Sequence, residues 1–458
     1  MVSSWRICVT IARRLTRNVK LLVALCVLAA VLFYLKYATR KFDHHVDISK
    51  NEFDGIIVKK SSNKLDKYNY KNSFQNDTNI IVHGDIYKSL VNGKTGKPRV
   101  DNIKSKLCYN IHAFYYPWYG NPSRDGEYVH WNHKYLPHWD KRIAQKYPLG
   151  RHIPPNDISS NFYPVLGPYS SGDPDVILDH MEQLSLAGVG VIAASYYPPG
   201  KADDNGKDWA HIFPLLLQAA ESFKIKLTFQ IEPYEGRSES TVLEDIKNIV
   251  ESYSAYQSFY KFSYKKKTLP LIYIYDSYHI QSSDWSKLLK PGPLSMRNGP
   301  YDAFVIGLVV ESKDKFEMVN AGFDGFYTYF ASNGFTYGST RGNWKALKNF
   351  ADANQLLFIP SVGPGYVDTR VRPWNSENTR SRLKGKYYSE SWKEALEQNT
   401  ELISITSFNE WHEGTQIEKA VPKRIDGFKY SDYKPFEPEY YLDLTRDFIK
   451  TFMRKKIL

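Results

Sequence analysis

The stretch Leu402-Ile403-Ser404-Ile405-Thr406-Ser407-Phe408-Asn409-Glu410-Trp411-His412-Glu413-Gly414 joins an apolar run to two glutamates that lie three residues apart. Residues 402–406 are mostly apolar and β-branched, which predicts a buried strand. Carboxylates at the end of such a strand are costly to bury without a partner or a chemical role. Hydrolysis of a glycosidic bond uses a pair of carboxyl groups, so Glu410 and Glu413 are candidate catalytic residues.

The residues beside the glutamates suit a sugar site. Aromatic rings pack against the C–H faces of sugars and amides bind hydroxyl groups, so Asn409 and Trp411 are candidate substrate-binding residues. Acidic pairs at this spacing are also common at the solvated start of a helix. The meaning of the pair therefore depends on the rest of the chain.

Short apolar and aromatic runs alternate with helical stretches from residue 107 onward. The predicted strands are Tyr109–Tyr116, Val189–Tyr196, Leu227–Glu232, Leu271–Tyr275, Ala303–Val309, Gly325–Tyr329, Leu357–Ser361 and Leu402–Ser407. The predicted helices are Asp175–Ala187, His211–Phe223, Thr241–Tyr253, Trp285–Leu289, Lys313–Ala321, Asn343–Asn354, Trp392–Gln398 and Tyr440–Met453. This alternation predicts an α/β fold, a (β/α)8 barrel with long insertions over residues 107–458. An open doubly wound sheet is the alternative, but no Gly-rich nucleotide loop follows the first strand.

Polar and aromatic side chains stand at nearly every predicted strand end. Tyr116, Tyr197, Glu232 and Glu410 each lie at such an end or just beyond it. Catalytic groups of barrel enzymes gather at the C-terminal ends of the strands. If these positions served only the core, plain loop residues would follow, so the pattern favours a site at this face.

Residues 19–37 predict a membrane segment. The run Leu21–Leu35 contains no charged residue, although it is short for a spanning helix, which needs about 20 residues. Basic residues and no acids precede it, so the positive-inside rule puts residues 1–18 in the cytoplasm and the bulk of the chain in the lumen. A cleaved signal peptide is the alternative, but no small-residue cleavage site follows the run.

Residues 38–106 are polar, rich in Lys and Asn, and predict a flexible luminal stem. The stem contains the glycosylation sequon Asn76-Asp77-Thr78. Residues 1–107 contain 20 Lys and Arg against 8 Asp and Glu, whereas residues 108–458 contain 41 of each. The predicted barrel is therefore neutral overall, and we expect no nucleic-acid partner because phosphate binding needs a basic face. Of the three cysteines only Cys108 lies in the barrel, so no internal disulfide is expected there.

The chain resembles glycoside hydrolase family 99. The segments that carry the resemblance are Phe114-Tyr-Tyr-Pro-Trp-Tyr-Gly-Asn-Pro122, His130-Trp-Asn-His133, His138-Trp-Asp140, Ile231-Glu-Pro-Tyr234, Gly322-Phe-Asp-Gly325, Tyr327-Thr-Tyr-Phe330, Asn333-Gly-Phe-Thr-Tyr-Gly338, Pro360-Ser-Val-Gly-Pro-Gly-Tyr366 and Ser407-Phe-Asn-Glu-Trp-His-Glu-Gly-Thr-Gln-Ile-Glu418. They cover about residues 110–440, and the anchor and stem match the layout of animal members. The resemblance is highly specific because so many long segments match.

The resemblance implies a metal-independent (β/α)8 enzyme of the Golgi membrane with its catalytic domain in the lumen. Its substrates would be glucosylated high-mannose N-glycans, cleaved at an internal α-1,2 bond with retention of configuration. The sugar's own 2-hydroxyl would be the nucleophile, through a 1,2-anhydro intermediate. Glu410 would then be the base and Glu413 the acid and later the base, while Tyr116, Tyr197, Glu232 and Tyr329 would line the sugar subsites.

Two positions depart from the family pattern. Many members have Trp where this chain has Tyr196, and His where it has Gln230. Both flank expected subsite residues, so they bear on the preferred number of glucoses rather than on the chemistry.

Four histidines resemble a metal-binding cluster in the sequence: His130, His133, His138 and His152. No acidic residue stands at a fixed metal-ligand spacing from them, and a pair of histidines three residues apart is a weak signal. Packing or sugar contact is therefore favoured over a metal site, and no metal or other cofactor is expected.

Asp173-Pro174-Asp175 is similar to the DxD of metal-dependent glycosyltransferases, which also have type II anchors. Asp173 better suits a helix cap with Pro at the first helical position, and this is the favoured interpretation. A metal-dependent glycosyltransferase and a lectin-like glycan-binding barrel therefore remain the alternatives.

Overall fold

The computed structural model describes residues 106–203 and 205–457. The predicted cytoplasmic tail, the membrane segment at residues 19–37 and all but the last residue of the stem lie outside the described residues. Among the helices of the described part, none combines the length and the apolar character needed to cross a bilayer.

Parallel strands form the centre of the fold. In chain order the strands are β1 (Cys108–Tyr115), β2 (Tyr163–Pro164), β3 (Val189–Tyr196), β4 (Lys226–Ile231), β5 (Lys261–Tyr264), β6 (Lys267–Ile274), β7 (Phe304–Leu308), β8 (Gly325–Tyr327), β9 (Leu357–Ile359), β10 (Ser361–Val362), β11 (Ile403–Ile405), β12 (Ala420–Val421), β13 (Arg424–Ile425) and β14 (Phe428–Lys429). The main sheet has the order β10-β11-β1-β3-β4-β6-β7-β8-β9, and β5 forms an antiparallel hairpin with β6.

The sheet curls into a nearly closed barrel. Strands β9 and β10 follow each other in the chain and are separated only by Pro360, yet β9 pairs with β8 and β10 pairs with β11. Pro has no N–H to give to a ladder, so the strand breaks there, but the carbonyl of Pro360 still accepts a hydrogen bond from Ser404 N at 3.1 Å. The predicted α/β barrel is therefore confirmed, with one strand split in two.

Helices alternate with the barrel strands. They are α1 (Pro122–Asp125), α2 (Lys141–Ala144), α3 (Pro174–Ala187), α4 (Phe213–Ser222), α5 (Glu239–Tyr253), α6 (Ser282–Leu289), α7 (Asp314–Ala321), α8 (Trp344–Ala353), α9 (Lys386–Glu397) and α10 (Tyr440–Ile457). All eight predicted helices and eight predicted strands are present. The largest error is α9, which begins six residues before the predicted Trp392.

Local chemistry sets the start and end of α3. The Asp173 side chain accepts a hydrogen bond from Asp175 N at 2.9 Å, and Pro174 occupies the first turn, where a missing N–H costs nothing. Gly188 ends the helix with φ 79°, a left-handed conformation that favours glycine. The interpretation of Asp173-Pro174-Asp175 as a helix start is confirmed.

The barrel interior is apolar and largely aromatic. All eight residues of β3 are buried, as expected for a parallel strand covered on both faces. The rings of Phe114, Tyr273 and Tyr327 meet at centroid distances of 5.1–5.5 Å. This packing fixes the strands whose far ends carry the candidate site.

The barrel carries three additions, which are long insertions of the predicted kind, although their short helices and strands were not predicted. Residues 116–172 form a long segment with only the short helices α1 and α2 and the short strand β2. Strand β12 pairs with β2, so this segment is tied to the chain that follows the candidate glutamates. The hairpin β5–β6 and the small pair β13–β14 complete the additions.

Candidate active site

A cavity of about 340 Å³ opens where the barrel strands end. Its lining residues are Tyr116, Trp118, His130, His133, Leu136, Tyr197, Asn205, Gln230, Glu232, Pro233, Tyr275, Asp276, Tyr329, Val371, Arg372, Glu410, His412 and Glu413. Six of the eight predicted site residues are among them: Tyr116, Tyr197, Glu232, Tyr329, Glu410 and Glu413. A cavity of this size and polarity suits a small polar ligand.

The loop after β11 holds both glutamates against the barrel. Phe408 N donates to the carbonyl of Phe114 at 2.8 Å, which ties the loop to β1. The loop closes on itself because Ser407 N donates to Thr415 O at 2.9 Å. Gly414 has φ 60°, and a Cβ there would lie 2.7 Å from Val367 Cγ1, so the turn requires glycine.

Glu410 is buried, with only 3% of its surface exposed. Its Oε1 accepts a hydrogen bond from His412 N at 3.0 Å, whereas Oε2 has no hydrogen-bond partner among the described residues. Burial raises the pKa of Glu410 well above its usual range, and the charge of Glu413 raises it further. Buried acceptors are normally paired, so Oε2 is positioned to receive a hydrogen bond from a ligand.

His412 is neutral and supports the loop. Burial lowers the pKa of His412 well below its usual range, and the neighbouring His133 lowers it further. Its Nε2 lies 2.9 Å from the carbonyl oxygen of His130, so the proton of the neutral ring is on Nε2. The lone pair of Nδ1 then faces Glu410 Oε1 at 3.5 Å.

Glu413 lies at the cavity surface and is partly exposed. Burial raises the pKa of Glu413 to about 7, while the guanidinium of Arg372 lowers it and the carboxylate of Asp368 raises it. Arg372 also donates from Nη1 to Asp368 Oδ2 at 3.2 Å. Because the negative charge of Glu413 disfavours a second one on Glu410, the two carboxyl groups titrate as a pair.

Two of the predicted tyrosines meet across the cavity. The hydroxyl groups of Tyr116 and Tyr329 are hydrogen-bonded to each other. Tyr329 has φ 46°, an uncommon conformation for a residue other than glycine, and its N–H donates to Ser361 Oγ at 2.8 Å. Such backbone geometry is characteristic of functional positions. Tyr197 lies on the cavity wall just after β3.

Glu232 is a third carboxyl group in the cavity. Burial raises the pKa of Glu232 to about 7, although hydrogen bonds with Ser195 and Gln230 lower it. Gln230 Nε2 donates to Glu232 Oε1 at 2.9 Å. The neighbouring Asp276, with φ 48°, accepts a hydrogen bond from Tyr278 through its carboxylate at 2.8 Å. This wall offers several acceptors to the hydroxyl groups of a ligand.

Asn409 and Trp411 are not among the residues that line the cavity. Both are fully buried behind it. The amide of Asn409 accepts from Tyr116 N at 2.8 Å and donates to Tyr116 O at 3.0 Å, and Trp411 Nε1 donates to Glu418 Oε2 at 3.0 Å. Their polar atoms are used within the protein, so the geometry corrects their predicted role from ligand contact to support of the loop.

Of the two departures from the family pattern, only Gln230 reaches the cavity. Tyr196 is fully buried, packs against Phe213 and donates its hydroxyl to Asn248 Oδ1 at 3.0 Å, on the helix side of the sheet. A change from Trp to Tyr at this position therefore alters the support of the sheet rather than a surface that a ligand touches.

The four histidines considered as metal ligands have separate partners. His130 pairs with Asp203 at 2.8 Å, and His152 pairs with Asp157 at 3.1 Å. His133 Nδ1 lies 2.7 Å from the carbonyl of Lys134, and His138 Nδ1 accepts from Asp140 N at 2.9 Å. Over residues 106–203 and 205–457, no group of three or more His, Cys, Asp or Glu side chains is arranged to hold a metal ion.

Other cavity residues were not predicted from the sequence. Trp118 stacks on His130 at a centroid distance of 4.6 Å and an angle of 8°. It lies in the aromatic run after β1, so the sequence carried a signal for it. Arg372, Leu136 and Val371 come from long irregular segments that have no periodicity, and nothing in the sequence pattern pointed to them.

Comparisons with known proteins agree with this geometry. A family model described as Glycosyl hydrolase family 99 matches residues 106–454. The human glycoprotein endo-alpha-1,2-mannosidase-like protein is 53% identical over 357 residues, which are 77% of this chain and 78% of that protein. The mouse glycoprotein endo-alpha-1,2-mannosidase is 49% identical over 401 residues, which are 87% of this chain and 86% of that protein.

Solved structures show the same likeness. The GH99 endo-alpha-mannosidase from Bacteroides thetaiotaomicron superposes with a TM-score of 0.71 at 44% sequence identity, covering 77% of this chain and all of that chain. With the family model spanning most of the sequence and a barrel whose strand ends carry paired glutamates, this chain belongs to glycoside hydrolase family 99.

Proposed function

We propose that this chain is a retaining endo-α-1,2-mannosidase. It cleaves an internal α-1,2 bond of glucosylated high-mannose N-glycans and releases a glucosyl-mannose di- or oligosaccharide. The mouse relative, which bears the name glycoprotein endo-alpha-1,2-mannosidase, supports this activity. The cavity also suits it, because carboxyl groups, tyrosine hydroxyls and aromatic rings surround a volume of sugar size.

In the proposed reaction the substrate supplies its own nucleophile. Glu410 removes the proton of the 2-hydroxyl of the mannoside, whose oxygen attacks C1 as Glu413 protonates the departing glycosidic oxygen. A 1,2-anhydro sugar forms. Glu413, now ionised, then removes a proton from water as the water oxygen opens the ring at C1, and Glu410 returns a proton to O2. Two inversions at C1 give net retention.

The observation that carries the proposal is the environment of Glu410. A carboxylate that takes a proton from a sugar hydroxyl must offer an unused oxygen within the cavity. Glu410 Oε2 is buried and has no hydrogen-bond partner among the described residues, while Oε1 is fixed by His412 N. The carboxyl group is therefore oriented by one oxygen and able to react through the other.

The remaining cavity groups have complementary roles in this proposal. Burial raises the pKa of Glu413 to about 7, which suits a group that must donate a proton to the leaving oxygen near neutral pH. Tyr116, Tyr197, Glu232 and Tyr329 bind the sugar rings. Asn409 and Trp411 hold the loop in place.

The test is identification of the released sugar. The full chain is incubated with a glucosylated high-mannose oligosaccharide, and the products are separated and sequenced. We expect a glucosyl-mannose fragment whose new reducing end first appears as the α-anomer. Release of free glucose or free mannose instead would show an exo-acting enzyme, and formation of the β-anomer would exclude retention.

The matched variant in that test is Glu413→Gln. Gln has almost the same shape but cannot protonate the leaving oxygen, so we expect kcat to fall by about 10²–10⁴-fold. Binding of the oligosaccharide, measured by calorimetry, should persist. Turnover close to that of the wild type would contradict the role of Glu413.

We further propose that residues 19–37 anchor the enzyme in the Golgi membrane as a single-pass type II protein. Residues 1–18 then face the cytoplasm, and residues 38–106 form a luminal stem before the barrel domain at residues 107–458. The basic residues before the apolar run support this orientation. N-glycans on glycoproteins are found in the same lumen, which suits the proposed substrate.

A further inference from the structure

We propose that an exposed aromatic surface beside the catalytic cavity binds mannose residues on the leaving-group side of the cleaved bond. This surface consists of His138, Trp139 and Trp374 and is called here the Trp139 platform. The inference rests on the proposed endo-mannosidase function, because an endo-acting enzyme must accommodate a large leaving group. It adds a binding subsite outside the cavity.

Trp139 is the most exposed large apolar side chain among the described residues, with 80% of its surface accessible. A tryptophan ring is usually largely buried, so such exposure points to a function at the surface. The backbone at this position is well defined, because the next residue, Asp140, caps α2 by accepting a hydrogen bond from Arg142 N at 2.9 Å.

The ring of Trp139 contacts two other aromatic rings, which limit its motion. His138 stacks on it at a centroid distance of 3.7 Å, and the edge of Trp374 lies at 5.2 Å with an angle of 83° between the rings. His138 is fixed in turn, because its Nδ1 accepts from Asp140 N at 2.9 Å. A ligand that stacks on this ring would therefore not have to order it first.

The Trp139 platform is connected to the wall of the cavity. Trp374 Nε1 donates to the carbonyl of Leu136 at 2.9 Å, and Leu136 N donates to the carbonyl of Val371 at 2.8 Å. Leu136 and Val371 both line the cavity. Two hydrogen bonds thus join the platform to the site where the sugar is cleaved.

The platform lies on the side of the proton donor. Val371 belongs to the segment after β10 that is tied to the proton donor, because Val367 N donates to the carbonyl of Glu413 at 2.8 Å. The guanidinium of Arg372, the next residue, lowers the pKa of Glu413. In the proposed mechanism Glu413 faces the departing oxygen, so this side of the cavity receives the leaving group. Tyr197 and Glu232 follow β3 and β4, which β11 and β1 separate from β10 in the sheet, so they belong to a different part of the wall.

The chemistry of the platform fits a neutral sugar. An indole ring offers an apolar face to the C–H groups of a pyranose. Asp140 and Arg142, which pair at 2.8 Å beside the ring, offer an acceptor and donors to its hydroxyl groups. The ligand inferred is therefore a mannose unit of the glycan branch that remains on the glycoprotein after cleavage.

The experiment compares two substrates that share the same glucosyl-mannose donor. One has a single mannose as its leaving group, and the other is a protein-free glucosylated high-mannose oligosaccharide. For Trp139→Ala we expect KM for the large substrate to rise about five- to tenfold with kcat nearly unchanged, as loss of uniform binding requires. The kinetic constants for the small substrate should stay as in the wild type, and Trp139→Phe should restore most of the binding.

Phe316→Ala is the matched control, because Phe316 is also an exposed aromatic residue, 54% accessible, but lies on the outer helix α7. It should leave both substrates unaffected, and thermal melting should confirm that all variants are folded. Equal losses on both substrates, or no loss on either, would overturn the inference. So would an effect seen only with a third substrate, the same glycan attached to a peptide, because the polypeptide would then be the occupant. A wild-type enzyme that releases no glucosyl-mannose from either substrate would instead refute the proposed function itself.

Discussion

Glu410 and Glu413 behave as one titrating unit because the protein encloses both and the negative charge on Glu413 disfavours a second one on Glu410. The negative charge of Glu413 raises the pKa of Glu410, so in the empty site the single proton lies mainly on Glu410. The proposed reaction needs the other arrangement, in which Glu410 is ionised and Glu413 is protonated, so binding of the substrate must move the proton to Glu413. Activity should fall at low pH, where both are protonated and the base is lost. It should also fall at high pH, where both are ionised and the acid is lost.

Arg372 offers a direct test of this shared proton. Its positive charge lowers the pKa of both Glu410 and Glu413, so removing it raises both pKa values. We expect Arg372→Gln to shift both limbs of the kcat/KM profile to higher pH. Arg372→Lys keeps the positive charge and should shift them much less. A uniform fall of kcat/KM at every pH, with both limbs at the same pH as in the wild type, would show that Arg372 only positions the substrate.

Glu232 links the site to the stability of the fold. Burial raises its pKa from 4.5 to about 7. Between these values the native state binds more protons than the unfolded state, so the free energy of unfolding falls as pH rises, by about 1.4 kcal/mol per pH unit for this group. The side chain in Glu232→Gln cannot ionise, so the free energy of unfolding of this variant should not fall with pH for this reason.

We therefore expect Glu232→Gln to melt at a higher temperature than the wild type at pH 8, with the difference shrinking toward pH 5. The gain at pH 8 should be on the order of 2–3 kcal/mol, measured by thermal or denaturant unfolding. Glu397→Gln, which changes an exposed glutamate on α9, is the control and should show no such pH dependence. A constant difference at all pH values would mean that packing, rather than ionisation, is responsible.

At the scale of the elements, the strands and helices were predictable because their sequences follow the periods of a parallel barrel. Val189–Tyr196 is a continuous apolar run and was placed to the residue. Errors arose where tertiary contacts decide the outcome. Pro360 interrupts the strand, but the pairing of β9 with β8 and of β10 with β11 depends on tertiary packing. Helix α9 begins early because Tyr388 packs against Trp392 in the core.

The site residues could be predicted from the sequence only where they follow a strand, because the strand itself is recognisable from its periodicity. Tyr116, Glu232 and Glu410 come directly after β1, β4 and β11 or close to them. Arg372 and Leu136 reach the cavity through irregular segments whose course depends on tertiary contacts. Asn409 and Trp411 were misassigned because residue type suggests a sugar contact equally well for a side chain that faces inward and one that faces the cavity.

Asp173 allows a test at the scale of one helix. It caps α3, so Asp173→Ala should cost about 1 kcal/mol of stability and lower the melting temperature by a few degrees, without affecting catalysis. Asp173→Asn keeps a capping oxygen and should remain close to the wild type. Activity of all three proteins should be insensitive to a chelator. If instead both substitutions abolished activity, and the wild type lost activity with the chelator and regained it with added manganese, Asp173 would be a metal ligand.

At the scale of the whole molecule, the neutral barrel domain is expected to carry out catalysis. The basic N-terminal region, with its apolar run, is expected to attach the chain to the membrane. We expect the full chain to sediment with membranes after alkaline carbonate washing, and a chain lacking residues 1–37 to remain in the supernatant. Glycosylation at Asn76 would show that the stem lies in the lumen. The measurement is an immunoblot with and without glycosidase digestion. Release of the full chain by the alkaline wash would contradict the anchor.

The pairing of β1 with β11 joins the first strand of the barrel to the last. During synthesis β1 leaves the ribosome long before its second neighbour exists, and its unpaired edge is a template for wrong association until then. The barrel can therefore pair β1 with β11 only after nearly the entire polypeptide has been translated. Any premature stop before β11 leaves an open sheet, which the quality-control machinery of the cell would be expected to retain and degrade.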